Sequence, residues 1–259
     1  GLEIDPAGDK PTLNIITPQG ETISALESGE DINLPDYDKA PKGSIAVIPV
    51  KGAMMKYDPW CAYGTESLSK FMRHAAAHKN ISSIILDIDS GGGAINSIPP
   101  LIDAIEEAKA TKPVIAFCDV AASAAYYVAV HCNQIILSND ISAQVGSIGM
   151  MISFADMQPK WEKDGVKFHT IYAPESTHKN KAFEMALKGE YDLIKEELLS
   201  PLAKQFQAVV KKQRPDINQK IEGILAGKMF FAHEARQHGM VDGIGTFTQV
   251  LDIAAKMAD

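Results

Sequence analysis

Apolar residues fall along this chain in short blocks separated by Gly-, Pro- and Asp-rich turns. Ile45-Ala46-Val47-Ile48-Pro49-Val50 is a continuous apolar run closed at Gly52, the pattern of a strand buried on both faces. Ile81 to Ile88 is a second such run, closed by Asp89-Ser90-Gly91-Gly92-Gly93. Between them the spacing predicts a helix from Ser67 to His78. A further helix follows the glycines, with Ile98, Leu101, Ile102, Ile105 and Ala108 on one face. Pro99 and Pro100 are compatible only with its first turn. Then come a predicted strand over Pro113 to Phe117, a turn at Cys118-Asp119, a helix beginning near Ala122 and a short strand over Ile135 to Leu137.

This alternation of buried strand, loop and amphipathic helix predicts an α/β fold with at least partly parallel sheet and right-handed crossovers. Ligands of such sheets bind beyond the C-terminal strand ends. Gly91 to Gly93 and Ala121 to Ala125 both fall there. Residues 1 to 43, rich in Pro, Gly, Asp and Glu, read as an N-terminal arm with one strand over Thr12 to Thr17. Residues 44 to 259 read as the main domain. Phe183 to Lys212 is largely helical by pattern, with a stripe of Tyr191, Ile194, Leu198, Leu202, Phe206 and Val209 suited to a core or a subunit interface. Pro201 is expected to break or kink it.

The length of 259 residues and a 46% hydrophobic, 22% charged composition describe an ordinary globular chain. Twenty-five basic against 33 acidic residues give a net charge of −8, which disfavours nucleic acid and anionic membrane as main partners. Cys61, Cys118 and Cys132 are too few and too scattered for a disulfide framework, and form no CxxC pair. Cys118 and Cys132 lie in apolar runs and read as small buried hydrophobes. The uncharged run from Val120 to Asn139 is long enough for a membrane span, but His131, Asn133 and Gln134 interrupt it, so it reads as a buried helix leading into a strand. The N-terminus lacks a basic-then-apolar signal pattern. The expected location is cytoplasmic, or membrane-associated if an anchor precedes this sequence.

Several familiar chemical signals fail. Gly91 to Gly93 has neither a phosphate-loop ending nor dinucleotide spacing. His233-Glu234 is followed by Gln237 and His238 at the wrong spacing for a zinc helix, so no metal and no cofactor are expected. Two backbone-rich turns remain. The triple glycine can present N–H groups to a developing oxyanion; a tight turn packed against a strand fits the pattern equally well. Ser123, amid small residues at a helix start, has an accessible hydroxyl beside a helix N-terminus. By local pattern alone an N-cap serine is the stronger reading.

The run Asp119-Val120-Ala121-Ala122-Ser123-Ala124-Ala125-Tyr126-Tyr127-Val128-Ala129 resembles the nucleophile segment of the signal peptide peptidase A (protease IV) family of serine peptidases. Four other pieces follow the family's order. Asp87 to Gly93 looks like its Asp/Asn-Ser-Pro-Gly-Gly turn, and Val145 to Met150 like its Gly-Ser-Ile-Gly segment. His178-Lys179 falls where the family carries its catalytic lysine. Gly227 to Ala235 with Gly239 to Gly243 look like its closing elements. The resemblance covers roughly residues 44 to 250. It implies a fold like that of the Clp protease and the crotonases, made of repeated strand–strand–helix units, and a Ser/Lys dyad in place of a triad. By position, Ser123 is then the nucleophile and Lys179 the general base. Gly92 and Ala124 are the oxyanion donors, Ser147 orients the lysine, and Lys181 is the second candidate base.

The chemistry is consistent with that assignment. A serine needs a base within reach, and no histidine occurs between His131 and His169. A lysine serves if burial lowers its pKa from about 10.4 towards 7–8. Local sequence alone makes Lys179 a solvated surface lysine. Gly91 stands where the family usually has proline, and Ala124-Ala125 where Gly-Gly is common. The expected partners are a peptide or protein substrate and further copies of the chain in a ring or bowl. Expected substrates are signal-peptide remnants or phage and prophage structural proteins. A crotonase-like acyl-coenzyme A enzyme, or an inactive assembly protein of the same fold, is the alternative.

Overall fold

The computed structural model describes residues 10–25 and 34–258. The rest of the arm lies outside the described residues. The chain forms two units, residues 1–148 with 209–259, and residues 149–208.

Among the described residues, the first unit is built on a sheet of nine strands in the order β2 (Thr22–Ser24), β1 (Asn14–Ile16), β3 (Ser44–Lys51), β4 (Ile81–Ser90), β5 (Val114–Ala122), β6 (Gln134–Leu137) and β9 (Gly243–Ile244), with β7 (Gln144–Gly146) paired to β5 and β8 (Met229–Phe231) to β7. β3 (Ser44–Lys51), β4 (Ile81–Ser90), β5 (Val114–Ala122) and β6 (Gln134–Leu137) run parallel, as the apolar runs predict. β9 (Gly243–Ile244) adds to β6 in the same sense. The described part of the arm joins the other edge: β1 (Asn14–Ile16) pairs antiparallel with β3 and with β2 (Thr22–Ser24). Leu13 and Ile15 there are fully buried, and Tyr37 stacks on His74.

Side chains alternate across these strands, so each face needs a cover. Ile45, Val47, Ile85, Ile115 and Ile136 meet Val250 and Ala254 of α9 (Phe247–Ala258) on one face. Ile84, Leu86, Ile88, Val114 and Ala116 are buried on the other. Their cover is α1 (Thr65–Ala77), α2 (Ile98–Lys109) and α3 (Ala124–Ala129). Pro99 and Pro100 sit in the first turn of α2, where their missing N–H groups cost nothing. Cys118 and Cys132 are buried, and burial raises both thiols, that of Cys132 to about 12.

The expected turn at Cys118-Asp119 is instead a β-bulge inside a continuous β5. The register passes from Ile88↔Cys118 to Asp89↔Val120 and leaves Asp119 unpaired. Below the bulge β5 pairs with β6; above it, Val120 to Ala122 pair with β7 (Gln144–Gly146). The Asp119 carboxylate accepts a hydrogen bond from Ser138 Oγ, which satisfies the polar residue that interrupts the apolar run. The predicted helix start at Ala122 shifts to Ala124, because β5 runs on to Ala122.

The closing segment locks this unit. Tyr126 Oη, in buried α3, donates to Met240 O at 2.8 Å. Asp242 accepts from the Ile135 N–H at 2.7 Å and from Arg214 at 2.8 and 2.9 Å, while Arg214 Nε donates to Gly239 O.

In the second unit, α4 spans Gln158–Lys163, α5 Lys181–Leu187 and α6 Asp192–Ile194. A π-helical turn over Lys195–Leu199 leads into α7 (Ser200–Gln213). The predicted helix from Phe183 is thus interrupted, and the wide turn lies where Pro201 removes a helical N–H. Ala186, Ile194 and Phe206 are buried, whereas Met151, Trp161, Phe168, Ile171 and Tyr191 are exposed. Among the described residues, no helix is long and apolar enough to cross a membrane, and no cluster of His, Cys, Asp and Glu is arranged to hold a metal.

Asp87 lies buried in β4 with Lys51 Nζ 2.8 Å away. Burial raises its carboxyl pKa, and the Lys51 charge opposes the rise. A raised carboxyl stabilises the fold below its unfolded pKa, and that contribution is lost as pH rises through the folded value. Lys51→Met removes the compensating charge. At pH 7 it is expected to cost about 1–3 kcal/mol, less than a fully buried pair because Lys51 is partly exposed. Urea unfolding across a pH series should show this penalty shrinking on acidification.

Candidate active site

β4 and β5 end side by side, Ser90 opposite Ala121, and the two backbone-rich turns leave from there. Ser123 follows β5 with φ 53° and ψ −120°, in a region that non-glycine residues rarely adopt. Its N–H donates to Gly146 O at 2.9 Å, and its carbonyl accepts from Tyr127 N–H in the first turn of α3. The backbone is therefore fixed on both sides of a strained residue, a conformation costing about 1–3 kcal/mol that persists only where surroundings impose it.

The Ser123 hydroxyl does not cap α3. It makes no hydrogen bond to a described residue, and the side chain is partly exposed. The N-cap reading favoured by local pattern is therefore overturned. Its backbone, at φ 53°, lies outside the extended region that a capping serine typically adopts. The N–H groups at the start of α3 remain for other use.

Gly92 packs directly on this elbow. Its φ is +94°, and a Cβ there would lie 2.7 Å from Ala122 O, 2.9 Å from Ala124 N and 2.9 Å from Ser123 Cβ. Only glycine fits. Gly93 is equally constrained: a Cβ would lie 2.0 Å from Met54 O. Met54 forms a parallel bridge with it, its N–H donating to Gly92 O and its carbonyl accepting from Ala94 N–H, both at 2.9 Å. The Gly92 N–H is engaged in its own turn, donating to Ser90 Oγ at 3.1 Å. The Gly93 and Ala124 N–H groups have no partner among the described residues. Gly91, where the resemblance leads one to expect proline, has open space around its Cβ position.

Ser147 stands next to the Ser123 turn. Ala122 pairs with Gly146, so the two serines leave adjacent parallel strands at the same level, and Ser147 also has φ 53°. Its N–H donates to Lys228 O, and a Cβ at Gly146 would lie 2.3 Å from that same oxygen. β8 (Met229–Phe231) and α8 (Ala232–Gln237), with Ala232 and Ala235 fully buried, brace β7 from this side.

Ser123, Ala124, Gly92 and Ser147 are thus brought together within the first unit. Lys179 and Lys181 belong to the second unit and are exposed in the single chain. There they flank Asn180, a left-handed residue with φ 60° that starts α5, and His178 pairs with Glu197 at 2.9 Å. Local sequence did not single out Ser90 or Met54. Each acts on the turn through a contact with a residue from another strand end, so no pattern within either segment marks it.

A model of peptidase family S49 matches residues 106–259. The chain is 27% identical over 224 residues to the chloroplastic serine protease SPPA of Arabidopsis thaliana, covering 84% of this chain and 33% of that one. It is 26% identical over 219 residues to protease 4 of Salmonella typhi, covering 83% and 35%. To the head-tail preconnector protein GP5 of Enterobacteria phage P21 it is 29% identical over 227 residues, covering 83% and 40%. The chain thus spans about a third of the length of the first two relatives. Two solved structures of the 1510-N membrane-bound stomatin-specific protease, one with a substrate peptide, superpose with TM-scores of 0.53 and 0.50 at 17% identity. They cover 80% of this chain, and 82% and 78% of theirs. The fold is accordingly the Clp/crotonase-like α/β fold.

The packing around the two glycines separates their roles. Gly92→Ala is expected to destabilise the fold by about 1–3 kcal/mol or more, since the methyl would meet the elbow backbone. Gly91→Ala is expected to raise stability by about 0.4–1 kcal/mol, because it narrows the unfolded ensemble without a clash. Thermal and urea unfolding of both variants check this.

Proposed function

The chain belongs to peptidase family S49, and from that premise we propose that it is a serine endopeptidase in which Ser123 is the nucleophile and Lys179 the general base. The supporting observation is the elbow: a strained serine at a strand end whose hydroxyl is not used for capping, packed against a glycine turn. Ser123 Oγ attacks the scissile carbonyl while neutral Lys179 Nζ takes its proton. The carbonyl oxygen becomes an oxyanion held by backbone N–H groups. The tetrahedral intermediate then expels the amine, which receives the proton from the lysine, and leaves an acyl-serine. Water, deprotonated by the same lysine, hydrolyses the ester and restores Ser123.

Ala124 N–H and the Gly92–Gly93 turn supply the oxyanion donors in this reading. Gly92 N–H has to exchange its Ser90 partner to serve; Gly93 N–H does not. Ser147 is the residue that orients the lysine, and Lys181 is the alternative base. The substrate is a peptide or protein. The protease 4 and phage preconnector relatives suggest signal-peptide remnants or phage structural proteins. The exposed apolar side chains of residues 149–208, among them Met151, Trp161 and Ile171, suit assembly of several copies.

Fluorogenic-peptide or casein cleavage by wild type, Ser123→Ala, Lys179→Ala and Lys181→Ala, across a pH series, tests the dyad. Expected are losses of about 10³-fold or more in Ser123→Ala and Lys179→Ala, near wild-type activity in Lys181→Ala, and a wild-type rate that rises on the basic side of the pH series. Activity that survives Lys179→Ala but not Lys181→Ala would move the base. A wild type that neither cleaves nor reacts with a serine-directed phosphonate would overturn the peptidase reading in favour of an assembly protein.

A further inference from the structure

We infer that Ser90 is the positioning residue of the oxyanion turn, acting on the reaction through the backbone of Gly92 and Gly93. This inference rests on the peptidase reading of the Ser123 site. Ser90 is the last residue of β4 and is only 2% exposed. Both of its hydroxyl bonds go to backbone at the site. Oγ donates to Gly52 O at 2.6 Å, just after β3, and accepts the Gly92 N–H at 3.1 Å. A serine at a strand end needs neither bond for the sheet, because Ser90 already pairs with Ala121 through its main chain.

The consequence is mechanical. The turn after β4 has three consecutive glycines, the most flexible sequence available. Three contacts hold it. Gly52 N–H donates to Asp89 O at 2.9 Å, the Met54 bridge fixes Gly92 and Ala94, and Ser90 Oγ joins Gly52 O to Gly92 N–H. Among the described residues, only the Ser90 contact acts on the N–H side of Gly92. That peptide must hold φ at +94° for the glycine to rest on the elbow. The bridge to Met54 uses the carbonyl of Gly92 and the N–H of Ala94, which turns the N–H of Gly93 away from Met54. Ser90 therefore holds the peptide unit before Gly92, and through the Gly92 backbone it sets the orientation of the next one, whose Gly93 N–H is left for the reaction. Preorganised donors of this kind act on the transition state and not on ground-state binding.

The test is steady-state cleavage of a fluorogenic peptide by wild type, Ser90→Ala, Ser90→Thr and Ser83→Ala. It is paired with the inhibition constant of a substrate-like peptide aldehyde, whose hemiacetal places an oxygen in the oxyanion position. Ser83 is a buried serine in the same strand whose hydroxyl has no partner, so its removal controls for loss of a buried hydroxyl as such. Ser90→Ala is expected to lower kcat about 10- to 100-fold with KM within about threefold, and to weaken the aldehyde by a similar factor. Ser90→Thr, which keeps the hydroxyl, is expected to recover most of kcat, and Ser83→Ala to match wild type.

Wild-type kcat in Ser90→Ala overturns the inference while leaving the peptidase reading intact. So does a loss that appears in KM alone, or an aldehyde affinity that does not follow kcat. If Ser90→Ala does not fold, Ser90→Cys carries the comparison with its weaker hydrogen bonds: reduced kcat with unchanged KM supports the inference, and wild-type kcat overturns it. A wild type that is inert to substrate, aldehyde and phosphonate overturns the peptidase reading, and the inference with it.

Discussion

The contact of Gly92 with the Ser123 elbow is the constraint on which the rest of this molecule depends. Two parallel strands end together, and the turn from one must lie within van der Waals reach of the turn from the other. That approach excludes any side chain at Gly92. It also requires Ser123 to hold a backbone conformation that costs free energy locally. Neither residue adopts its geometry for its own sake. The strain is sustained because Ser123 is bonded to Gly146 and to the first turn of α3, while Gly92 is bonded to Ser90 and Met54.

The surrounding architecture serves to keep those strand ends in register. The bulge at Asp119 divides β5 into a lower part that pairs with β6 and an upper part that pairs with β7. That division lets Ser147 emerge beside Ser123 on a neighbouring strand. Tyr126 ties α3 to the closing segment, and Arg214 with Asp242 ties that segment to the start of β6. Lys51 balances the buried Asp87 on the other face of β4. These bonds couple residues up to 114 positions apart, so the elbow is held by the whole unit.

Family membership and geometry carry different parts of the functional reading. The S49 match covers residues 106–259 and thus includes both Ser123 and Lys179. The proposed nucleophile and backbone donors belong to the first unit. The proposed lysine belongs to the second, which also has many exposed apolar side chains. A 60-residue segment with few buried hydrophobics gains little from its own core, which is the physical ground for assembly in the proposed function.

The parallel core was legible in the sequence because strands buried on both faces must be continuously apolar, and the runs at 45–50 and 81–88 are. The helix from Thr65 and the proline-started helix at Ile98 were legible from their periodicity. Motif order pointed to Ser123, Gly92 and Ser147, although local pattern preferred a capping role for Ser123. The turn expected at Cys118-Asp119 illustrates the opposite case: a polar residue interrupts an apolar run, yet a partner from Ser138 lets the strand continue through a bulge. The same holds for the left-handed Ser123 and Ser147, the close seat of Gly92 and the two bonds of Ser90. The sequence by itself determined which segments are buried and which residue types stand at the strand ends, because burial follows local composition and period. Only the tertiary structure decided what those residues do, since strain, close approach and hydrogen-bond partnership are imposed by neighbours distant in the chain.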